Sequence, residues 1–262
     1  MKKDEFQRSE NMKEEIKNYA KEVGVDDIGF ASARNYKSPA TPIKEIFQGA
    51  KTIIVLAFQQ LDNCESENNE IASVGNKIIF EFAHYSTYKI ARFIKKEFKA
   101  KVMSIPTAGP VKRDTKTGLP FADVSLRHAA IAAGLGNFGR HNLVIHSEMG
   151  SKVIFTAIIT DLDIQPDTLT KELCKDCDIC VNQCPVNALS EENKTDVMKC
   201  AFNSQPYGVG GYMRFWTKFV ESSPEEQKKM LQDEKFGKLY QALSLGSYYV
   251  CFNCVRNCPA GQ

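Results

Sequence analysis

Residues 174–185 read CKDCDICVNQCP, and this stretch decides how the second half of the chain is interpreted. Four cysteines stand here at the spacing C-x2-C-x2-C-x3-C, with a proline directly after them: Cys174, Cys177, Cys180, Cys184 and Pro185. Three thiolates on one tight loop can bind three corners of an iron–sulfur cubane, whereas the fourth cysteine of such a run binds a second cluster. The run therefore predicts iron–sulfur ligands, followed by a helix over residues 186–192 that the proline starts.

A second cysteine run, CFNCVRNCP, lies near the C-terminal end of the sequence. At four thiolates per cubane, the two runs supply seven of the ligands that two clusters need, and Cys200 is the nearby candidate for the eighth. We predict a first [4Fe–4S] cluster on Cys174, Cys177, Cys180 and Cys258. We predict a second on Cys184, Cys200, Cys251 and Cys254. Cys64 is left over and has no predicted role.

Zinc sites and disulfide bridges are the alternative interpretations of these cysteines. Zinc favours paired CxxC or Cys/His sets, and it does not need three cysteines three residues apart followed by Cys-Pro. Disulfides are normally spread through the small domain that they staple, whereas eight of the nine cysteines lie after residue 173. The polar residues 1–12 do not read as an export signal, and no run of about 18 apolar residues occurs. We therefore expect a soluble, cytoplasmic protein with no membrane partner.

Composition sets broad limits on the fold and its partners. The 262 residues allow one large domain or two modest ones, and 43% hydrophobic and 25% charged residues are ordinary for a globular protein. The net charge of +2 is too small to indicate a nucleic-acid surface by itself.

Hydrophobic periodicity predicts an α/β or α+β core over residues 1–165, followed by a ferredoxin-like domain over residues 166–262. Helices are expected at 11–23, 75–99 and 125–134. Strands are expected at 26–32, 51–60, 100–109, 143–146 and 152–160, with a turn at 147–150. The glycine-rich and aromatic segment 203–216 is interpreted as a surface loop, with a lid or docking surface as the alternative.

The segment AAGLGNFGRHN, residues 132–142, contains the letters of a dinucleotide-binding fingerprint. That fingerprint works when it follows a strand and opens a helix, so that the helix N-terminus faces the pyrophosphate. Here an alanine-rich helix precedes Gly134 and a strand-like run follows Gly139, so the order is reversed. We predict a tight helix-to-strand turn with Gly134 at the helix C-terminus. A close approach of the backbone to another cofactor is the alternative.

Residues 127–164, RHAAIAAGLGNFGRHNLVIHSEMGSKVIFTAIITDLDI, together with the two cysteine runs, resemble the corrinoid iron–sulfur reductases. This family includes epoxyqueuosine reductases and reductive dehalogenases. Weaker resemblance extends upstream over residues 16–31, 50–58 and 83–98. The resemblance implies a cobalamin-binding core, nitroreductase-like in character, and a ferredoxin-like domain that passes electrons from two [4Fe–4S] clusters to cobalt.

The same resemblance implies cofactor-binding residues in the glycine segment: Gly134, Gly136, Gly139, Arg140 and Asn142. These would lie beside the corrin or where the core meets the clusters. His128 and His141 flank the segment and are either cobalt ligands or structural histidines, with the structural role favoured. Arg127 is either an anion-binding residue or an ordinary surface arginine.

Two residues are candidates for supplying a proton to the substrate. Asp123, in LPFADVSLRH, lies three residues from the position of the aspartate that epoxyqueuosine reductases carry in a VDTGP-like motif. Its alternative role is that of an acidic residue near a helix N-terminus. Tyr88 is the second catalytic candidate, because a phenol can be tuned by a neighbouring cation. Its alternative role, shared with Tyr85, is that of a core or rim residue.

The expected function is the reduction of a small substrate or a modified base, with electrons from a low-potential donor such as ferredoxin or flavodoxin. Epoxyqueuosine reductases carry a C-terminal helical-repeat extension that helps to bind tRNA, and this sequence resembles a short branch without it. A tRNA partner is therefore disfavoured. A corrinoid-free electron-transfer protein with two clusters and a cobalamin-processing reductase are the alternative functions.

Overall fold

The computed structural model describes residues 2–38, 41–107, 111–113, 120–168, 171–191, 194–246 and 249–260. The chain forms two compact units. Unit 1 contains residues 1–59, 79–177 and 258–262, and unit 2 contains residues 60–78 and 178–257. This grouping is discontinuous, unlike a single boundary after residue 165. Segment 60–78 groups with the cysteine-rich half, and residues 166–177 group with the core.

Unit 1 is built on a four-stranded antiparallel sheet in the order β1-β2-β8-β3. Its strands are β1 (Asp27–Ser32), β2 (Thr52–Gln59), β3 (Val102–Ile105) and β8 (Val153–Thr160). Two short hairpins pair β4 (Val111–Arg113) with β5 (Pro120–Ala122) and β6 (Asn137–Phe138) with β7 (Val144–Ile145). The helices are α1 (Lys2–Glu22), α2 (Ile43–Ile46), α3 (Asn69–Glu97), which begins in unit 2, and α4 (Leu126–Ala132).

The sheet is covered on both faces, which explains why β2 is apolar at nearly every position. Ile53 and Ala57 pack in one core cluster with residues of α4, whereas Ile54 and Leu56 pack in another with residues of α1 and α3. Alternate residues of a strand point to opposite faces, so a strand buried on both sides reads as a continuous hydrophobic run. Each buried isoleucine or leucine side chain contributes about 1.5–3 kcal/mol by leaving water.

Two polar contacts fix the segments around this sheet. The buried Lys13 ammonium lies 2.6 Å from Asp167 Oδ1, while Asp167 Oδ2 accepts the Phe30 N–H at 3.1 Å. His146 is buried, and its Nε2 lies 2.9 Å from Asp27 Oδ2. The chain after β8 is therefore held against α1 and β1 before it reaches Cys174.

The predicted strands at 26–32, 51–60 and 152–160 are confirmed, as is the turn at 147–150. The helices α1 and α3 begin nine and six residues earlier than their hydrophobic periodicity indicated. The first turn of α1 is charged, and the residues that open α3, Asn69 and Glu70, are polar. The strand predicted at 100–109 is shorter, ending at Ile105, and residues 108–109 lie outside the described residues.

Unit 2 is helical. After a 3-10 turn (Asp62–Glu65) and the start of α3, it contains α5 (Ile179–Asn182), α6 (Val197–Ser204), α7 (Val209–Glu221), α8 (Pro224–Gln232), α9 (Glu234–Leu245) and α10 (Asn253–Arg256). The helix predicted over 186–192 is wrong: residues 185–190 form turns, and residue 192 lies outside the described residues. The helix begins instead at Val197, where the Asp196 carboxylate accepts the Lys199 N–H and caps it.

The interpretation of residues 203–216 as a surface loop is also wrong, because α6 extends to Ser204 and α7 begins at Val209. The buried Phe215 packs against Trp216 and Phe219 of the same helix. The glycines serve close packing: a Cβ on Gly211 would lie 1.7 Å from the Pro206 carbonyl oxygen. Within the described residues, no helix has both the length and the apolar character needed to cross a membrane.

Candidate functional site

The four cysteines predicted for the second cluster all lie in unit 2. Cys200 is on α6, Cys254 is on α10, and Cys184 and Cys251 lie beside α5 and α10. The Cys200 thiol interacts electrostatically with Cys184 and Cys251, and the Cys254 thiol interacts with Cys200 and Cys251. The fold therefore brings the four thiols into one neighbourhood, with Cys180 also beside Cys254.

One hydrogen bond joins the two cysteine runs of this neighbourhood, and another contacts a cysteine sulfur directly. The Asn253 side chain donates to the Gln183 carbonyl at 3.2 Å, next to Cys184. The Ala188 N–H donates to Cys184 Sγ at 3.2 Å. Backbone N–H groups aimed at cysteine sulfur stabilise the thiolate and tune the potential of a bound cluster. The loop after α5 therefore directs a backbone N–H at the sulfur of a predicted ligand.

Burial and crowding make the thiols of this neighbourhood hard to ionise unless a metal binds them. Burial, followed by the nearby thiols, raises the pKa of Cys254 to about 12. Burial also raises the pKa of Cys200, an effect that Ser204 opposes and that Cys251 and Cys184 reinforce. Crowded, desolvated thiols resist ionisation, whereas coordination to a metal deprotonates them outright. The donor set fits an iron–sulfur cluster, which would take all four as thiolates.

All nine cysteines are among the described residues, and none of them forms a disulfide. In the same part of the chain, no group of three or more His, Cys, Asp or Glu side chains has the geometry of a single-ion site. A cubane binds each thiolate at a different iron atom, so its ligands need not converge on one point.

The cysteines predicted for the first cluster are divided between the units, with Cys174, Cys177 and Cys258 in unit 1 and Cys180 in unit 2. Cys174 Sγ accepts the Arg140 N–H at 3.4 Å, a second N–H···S contact. The loop is tight, since Asp176 has a φ of 45°. This ligand set stays a prediction.

The glycine segment is a helix-to-strand turn, as predicted. Gly134 has a φ of 74°, and its N–H donates to Ile131 O at 3.1 Å, while the Leu135 N–H donates to Ala130 O at 2.9 Å. This pair of bonds is the Schellman motif, which requires a left-handed residue after the helix. The segment follows α4 and leads into β6, so a dinucleotide phosphate loop is wrong for it.

The remaining glycines of this segment are required by packing within the chain. A Cβ on Gly136 would lie 2.2 Å from the Ile145 carbonyl oxygen on β7. A Cβ on Gly139 would lie 2.7 Å from the His141 ring. These contacts account for both glycines without a ligand. Their contact with a corrin, together with those of Gly134, Arg140 and Asn142, rests on resemblance and stays a prediction.

Asn142 and His141 are held by the same turn. Asn142 has a φ of 60°, and its carbonyl accepts from Arg127 at 2.5 Å. His141 is buried, and its Nδ1 accepts the Leu143 N–H at 3.1 Å, so the hydrogen of the neutral ring lies on Nε2. Among the described residues, Nε2 has no hydrogen-bond partner. Burial lowers the pKa of His141 to about 4.

Asp123 is part of an ionic cluster that sequence reasoning missed. Its Oδ1 accepts from the Lys112 ammonium at 2.6 Å and from the Thr41 hydroxyl at 2.7 Å. The Lys112 bond, followed by the Thr41 bond, holds the pKa of Asp123 below its ordinary value. Asp123 is therefore ionised near neutral pH, and its carboxylate accepts both bonds. No sequence signal joins residues 41 and 123.

Tyr88 lies elsewhere in unit 1, on the exposed side of α3. Its side chain is 55% exposed, and its hydroxyl accepts from Arg92 at 3.4 Å. Among the described residues, no hydrogen bond joins Tyr88 to Asp123. The catalytic role of each residue stays a prediction, and the structure does not bring the two together.

Comparisons with known proteins match the first cysteine run and, separately, most of the chain. A family model described as "4Fe-4S binding domain" matches residues 168–190. An epoxyqueuosine reductase from Bacillus anthracis is 27% identical over 224 residues, which covers 76% of this chain and 58% of that protein. A tetrachloroethene reductive dehalogenase from Desulfitobacterium hafniense is 32% identical over 127 residues, or 46% of this chain and 20% of that protein.

Solved structures give the same fold. A selenomethionine-labelled epoxyqueuosine reductase has a TM-score of 0.63 at 19% identity, covering 97% of this chain and 66% of its own. A reductive dehalogenase, whose structure is described as suggesting a mechanism for B12-dependent dehalogenation, has a TM-score of 0.53 at 19% identity. It covers 92% of this chain and 37% of its own. The nitroreductase-like character of the core stays a prediction.

The chain thus spans less than two thirds of the length of the Bacillus anthracis relative. The resemblance stated from the sequence is confirmed, because the relatives carry the names that residues 127–164 and the cysteine runs indicated. This chain is similar in sequence and in fold to the epoxyqueuosine reductases and, over a shorter stretch, similar in sequence to the reductive dehalogenases.

Proposed function

We propose that this chain is an iron–sulfur reductase that holds two [4Fe–4S] clusters and a corrinoid, and that reduces a small substrate or a modified base. The observation that carries the proposal is the neighbourhood that Cys184, Cys200, Cys251 and Cys254 share in unit 2, where Cys200 is exposed and the other three are partly buried. Zinc or disulfides would leave the C-x2-C-x2-C-x3-C-P run without a purpose. The match to a 4Fe–4S binding model over residues 168–190 supports the same chemistry.

The residues of this chain bind and tune the clusters in this proposal. The eight cysteines supply thiolates, and the N–H groups of Ala188 and Arg140 donate to the sulfur atoms of Cys184 and Cys174. Such bonds disperse negative charge on the ligand and raise the reduction potential. Bound clusters supply single electrons at low potential, and a bound corrinoid supplies the reducing metal centre.

Reduction also consumes protons, and the Lys112–Asp123 pair is the candidate source. Lys112 Nζ donates to Asp123 Oδ1 at 2.6 Å. We assign Lys112 as the group that carries the proton and Asp123 as the group that orients it. The Thr41 hydroxyl fixes the carboxylate from another direction.

A modified base is the favoured substrate class. The relatives that cover three quarters of this chain are named epoxyqueuosine reductases, and one similar structure contains an epoxyqueuosine-modified tRNA-Tyr stem loop. A low-potential carrier such as ferredoxin or flavodoxin would supply the electrons, because [4Fe–4S] clusters accept single electrons.

The test is metal analysis of protein purified without oxygen and reconstituted with iron and sulfide. We expect about eight irons per chain, at four per cubane. Added cob(II)alamin should remain bound after desalting at one cobalt per chain and give a base-off EPR signal. Cys200→Ser should lower the iron content to about four, since it removes one ligand of one cubane.

Cys64→Ser is the matched control, because Cys64 is buried in the same unit but lies outside both ligand sets. It should retain the full iron content. Full iron in Cys200→Ser, or zinc in place of iron, would overturn the cluster assignment.

A corrinoid-free electron carrier with two clusters is the second candidate. Packing within the chain accounts for Gly136 and Gly139 without a corrin, which favours this alternative. Full iron with no retained cobalt would establish it. A cobalamin-processing reductase would instead retain cobalt, reduce it and turn over no added substrate.

A further inference from the structure

An open groove on the outer side of unit 1 has a composition that neither core packing nor the reduction explains. Its volume is about 470 Å³, and its lining residues come from α1 and α3: Tyr19, Tyr85, Tyr88, Lys89, Arg92, Phe93, Lys96 and Glu97. Cavities of roughly 300–1,000 Å³ take small organic ligands. We call this cavity the tyrosine–lysine groove.

Aromatic rings form one half of the groove. Tyr19 and Phe93 stack on each other, with centroids 4.4 Å apart, and are partly buried between the helices. Tyr85 and Tyr88 are different, since they are 59% and 55% exposed and pack in no core cluster. Two large exposed rings one helical turn apart offer flat surfaces on which a planar ligand can stack.

Positive charge forms the other half. Residues 85–101 contain six Lys or Arg and a single Glu, in a chain whose net charge is +2, so the rest of the chain is net negative. In the described part of the protein, Lys89, Arg92 and Lys96 form no ion pair with any carboxylate. A local surplus of unpaired cations in a nearly neutral protein marks a surface for an anionic ligand.

Each of the two exposed tyrosine rings has a cationic side chain close to it. Lys89 Nζ lies 4.6 Å from the centroid of the Tyr85 ring, and the Arg92 guanidinium lies 5.7 Å from that of Tyr88. An acidic peptide would use the cations and leave both rings exposed to water. An apolar ligand would cover the rings and desolvate the cations at a cost. A planar ring that carries phosphate satisfies both.

We propose that the tyrosine–lysine groove is a nucleotide-binding site. The base stacks on Tyr85 or Tyr88, and the phosphate lies among the Lys89, Arg92 and Lys96 side chains. The nucleotide is either free or one unit of a nucleic-acid strand, and the chemistry is shared. The proposal does not depend on the clusters or on the corrinoid.

The test uses the full chain and two probes. One is AMP, followed by saturation-transfer NMR, and the other is a labelled ten-nucleotide single-stranded RNA, followed by fluorescence anisotropy. Binding should weaken as salt rises, because cations that contact phosphates release counterions. Saturable AMP binding with little gain for RNA indicates a free nucleotide, and tight RNA binding with weak AMP binding indicates a strand. Either result supports the site.

Two variants separate stacking from charge. The double variant Tyr85→Ala, Tyr88→Ala should weaken binding roughly five- to 150-fold per stacked base. The double Tyr→Phe variant keeps both rings and should bind with the affinity of the unsubstituted protein. Lys89→Gln, Arg92→Gln and Lys96→Gln together should abolish most binding and flatten the salt dependence. Circular dichroism of each variant checks that the helices remain folded.

The matched control removes three exposed lysines from unit 2, Lys228, Lys229 and Lys235, and should leave binding intact. Equal losses in the control and groove variants would reduce the effect to general electrostatics and overturn the proposal. The proposal would also be overturned if poly-glutamate bound with the same affinity as RNA and the tyrosine substitutions did not change that affinity. Such a result would indicate an acidic protein partner. Absence of binding by both probes would also overturn it.

Discussion

Unit 1 and unit 2 are each stabilised in a different way. Unit 1 surrounds its sheet with two clusters of buried aliphatic residues, so burial alone supplies most of its stability. Unit 2 has a small core cluster containing Cys64, Ala72 and Phe252, and five other cysteines of this unit lie near one another. A unit of this kind gains stability by binding a metal cluster, because the binding free energy becomes folding free energy. The comparison teaches that iron should affect one unit far more than the other.

The largest expected effect is that of removing the clusters. In reconstituted protein treated with an iron chelator, backbone amides of α6 and α7 should exchange hydrogen on the order of 100-fold faster, since unit 2 loses its ligand-dependent stability. Amides of β2 and β8 should exchange at nearly unchanged rates. Hydrogen exchange followed by mass spectrometry measures both regions in one experiment, and equal acceleration in both would contradict the division.

The next effect tests the opposite case, in which the sheet of unit 1 is weakened and the clusters are left intact. Ile158 is fully buried and pairs with Ile54, so Ile158→Ala should cost about 2–5 kcal/mol of unfolding free energy through lost burial and a cavity. Val220→Ala, at a side chain that is 77% exposed, should change it by less than about 0.5 kcal/mol. Denaturant titration checks both, and the iron content of Ile158→Ala should be normal below its transition.

Arg256 sharpens the comparison within unit 2. Its guanidinium donates to the carbonyls of Ser66 at 2.6 Å and Cys64 at 3.2 Å, and it lies between the cysteines of the C-terminal run. Arg256→Gln should cost about 1.5–3 kcal/mol, the range for hydrogen bonds to a charged group.

The measurement is the rate at which the reconstituted clusters bleach in air, followed by absorbance at 410 nm. We expect that rate to rise in Arg256→Gln, because segment 60–78 no longer holds the cysteine run. Lys199→Gln, an exposed position on the same unit, is the control. Unchanged bleaching in Arg256→Gln would show that the segment is only a tether.

A pH effect of about 2 kcal/mol should come from unit 1. Burial lowers the pKa of His141 to about 4, from roughly 6.5 when the chain is unfolded, so the folded state favours the neutral ring. The contribution of the neutral His141 ring to the free energy of unfolding is complete above pH 6.5 and declines as the pH falls towards 4. Between pH 7 and pH 5 the loss is about 2 kcal/mol, at 1.36 kcal/mol per unit.

His141→Gln should flatten that part of the pH profile, as measured by urea unfolding at each pH. His84→Gln is the comparison, because His84 is exposed and, within the described residues, its side chain hydrogen-bonds to Thr107. Burial lowers the pKa of His84 too, so this variant should flatten the profile in the same direction but less than His141→Gln. An unchanged slope in His141→Gln would assign the pH dependence to other groups.

Local sequence patterns predicted the parts of this molecule that depend on neighbours along the chain. The continuous apolar run of β2 indicated a buried strand, and the cysteine spacing indicated the ligand loop. The helix α7 was missed although Tyr212, Phe215, Trp216 and Phe219 follow helical spacing. A capping box at residues 223–226 marks the start of α8 and was readable as well.

Contacts between distant residues had no such signal. Asp123 contacts both Lys112 and Thr41 because a hairpin and a loop come together in the fold, and no sequence periodicity indicates that contact. Arg256 and Ser66 are separated by 190 residues. The cysteines of the site were therefore predictable from residue type and spacing. The polar and charged residues that hold the surrounding segments in place depend on tertiary contacts and were not.

The contact between Ser66 and Arg256 also has a consequence in time. During synthesis at 5–20 residues per second, the 190 residues between them take roughly 10–40 s to emerge. Segment 60–78 must wait through that interval without its partner, while β1 and β2 on its N-terminal side can already pair. The cell therefore makes the sheet-forming half first, and the cysteine-rich half closes only as the last ligands leave the ribosome.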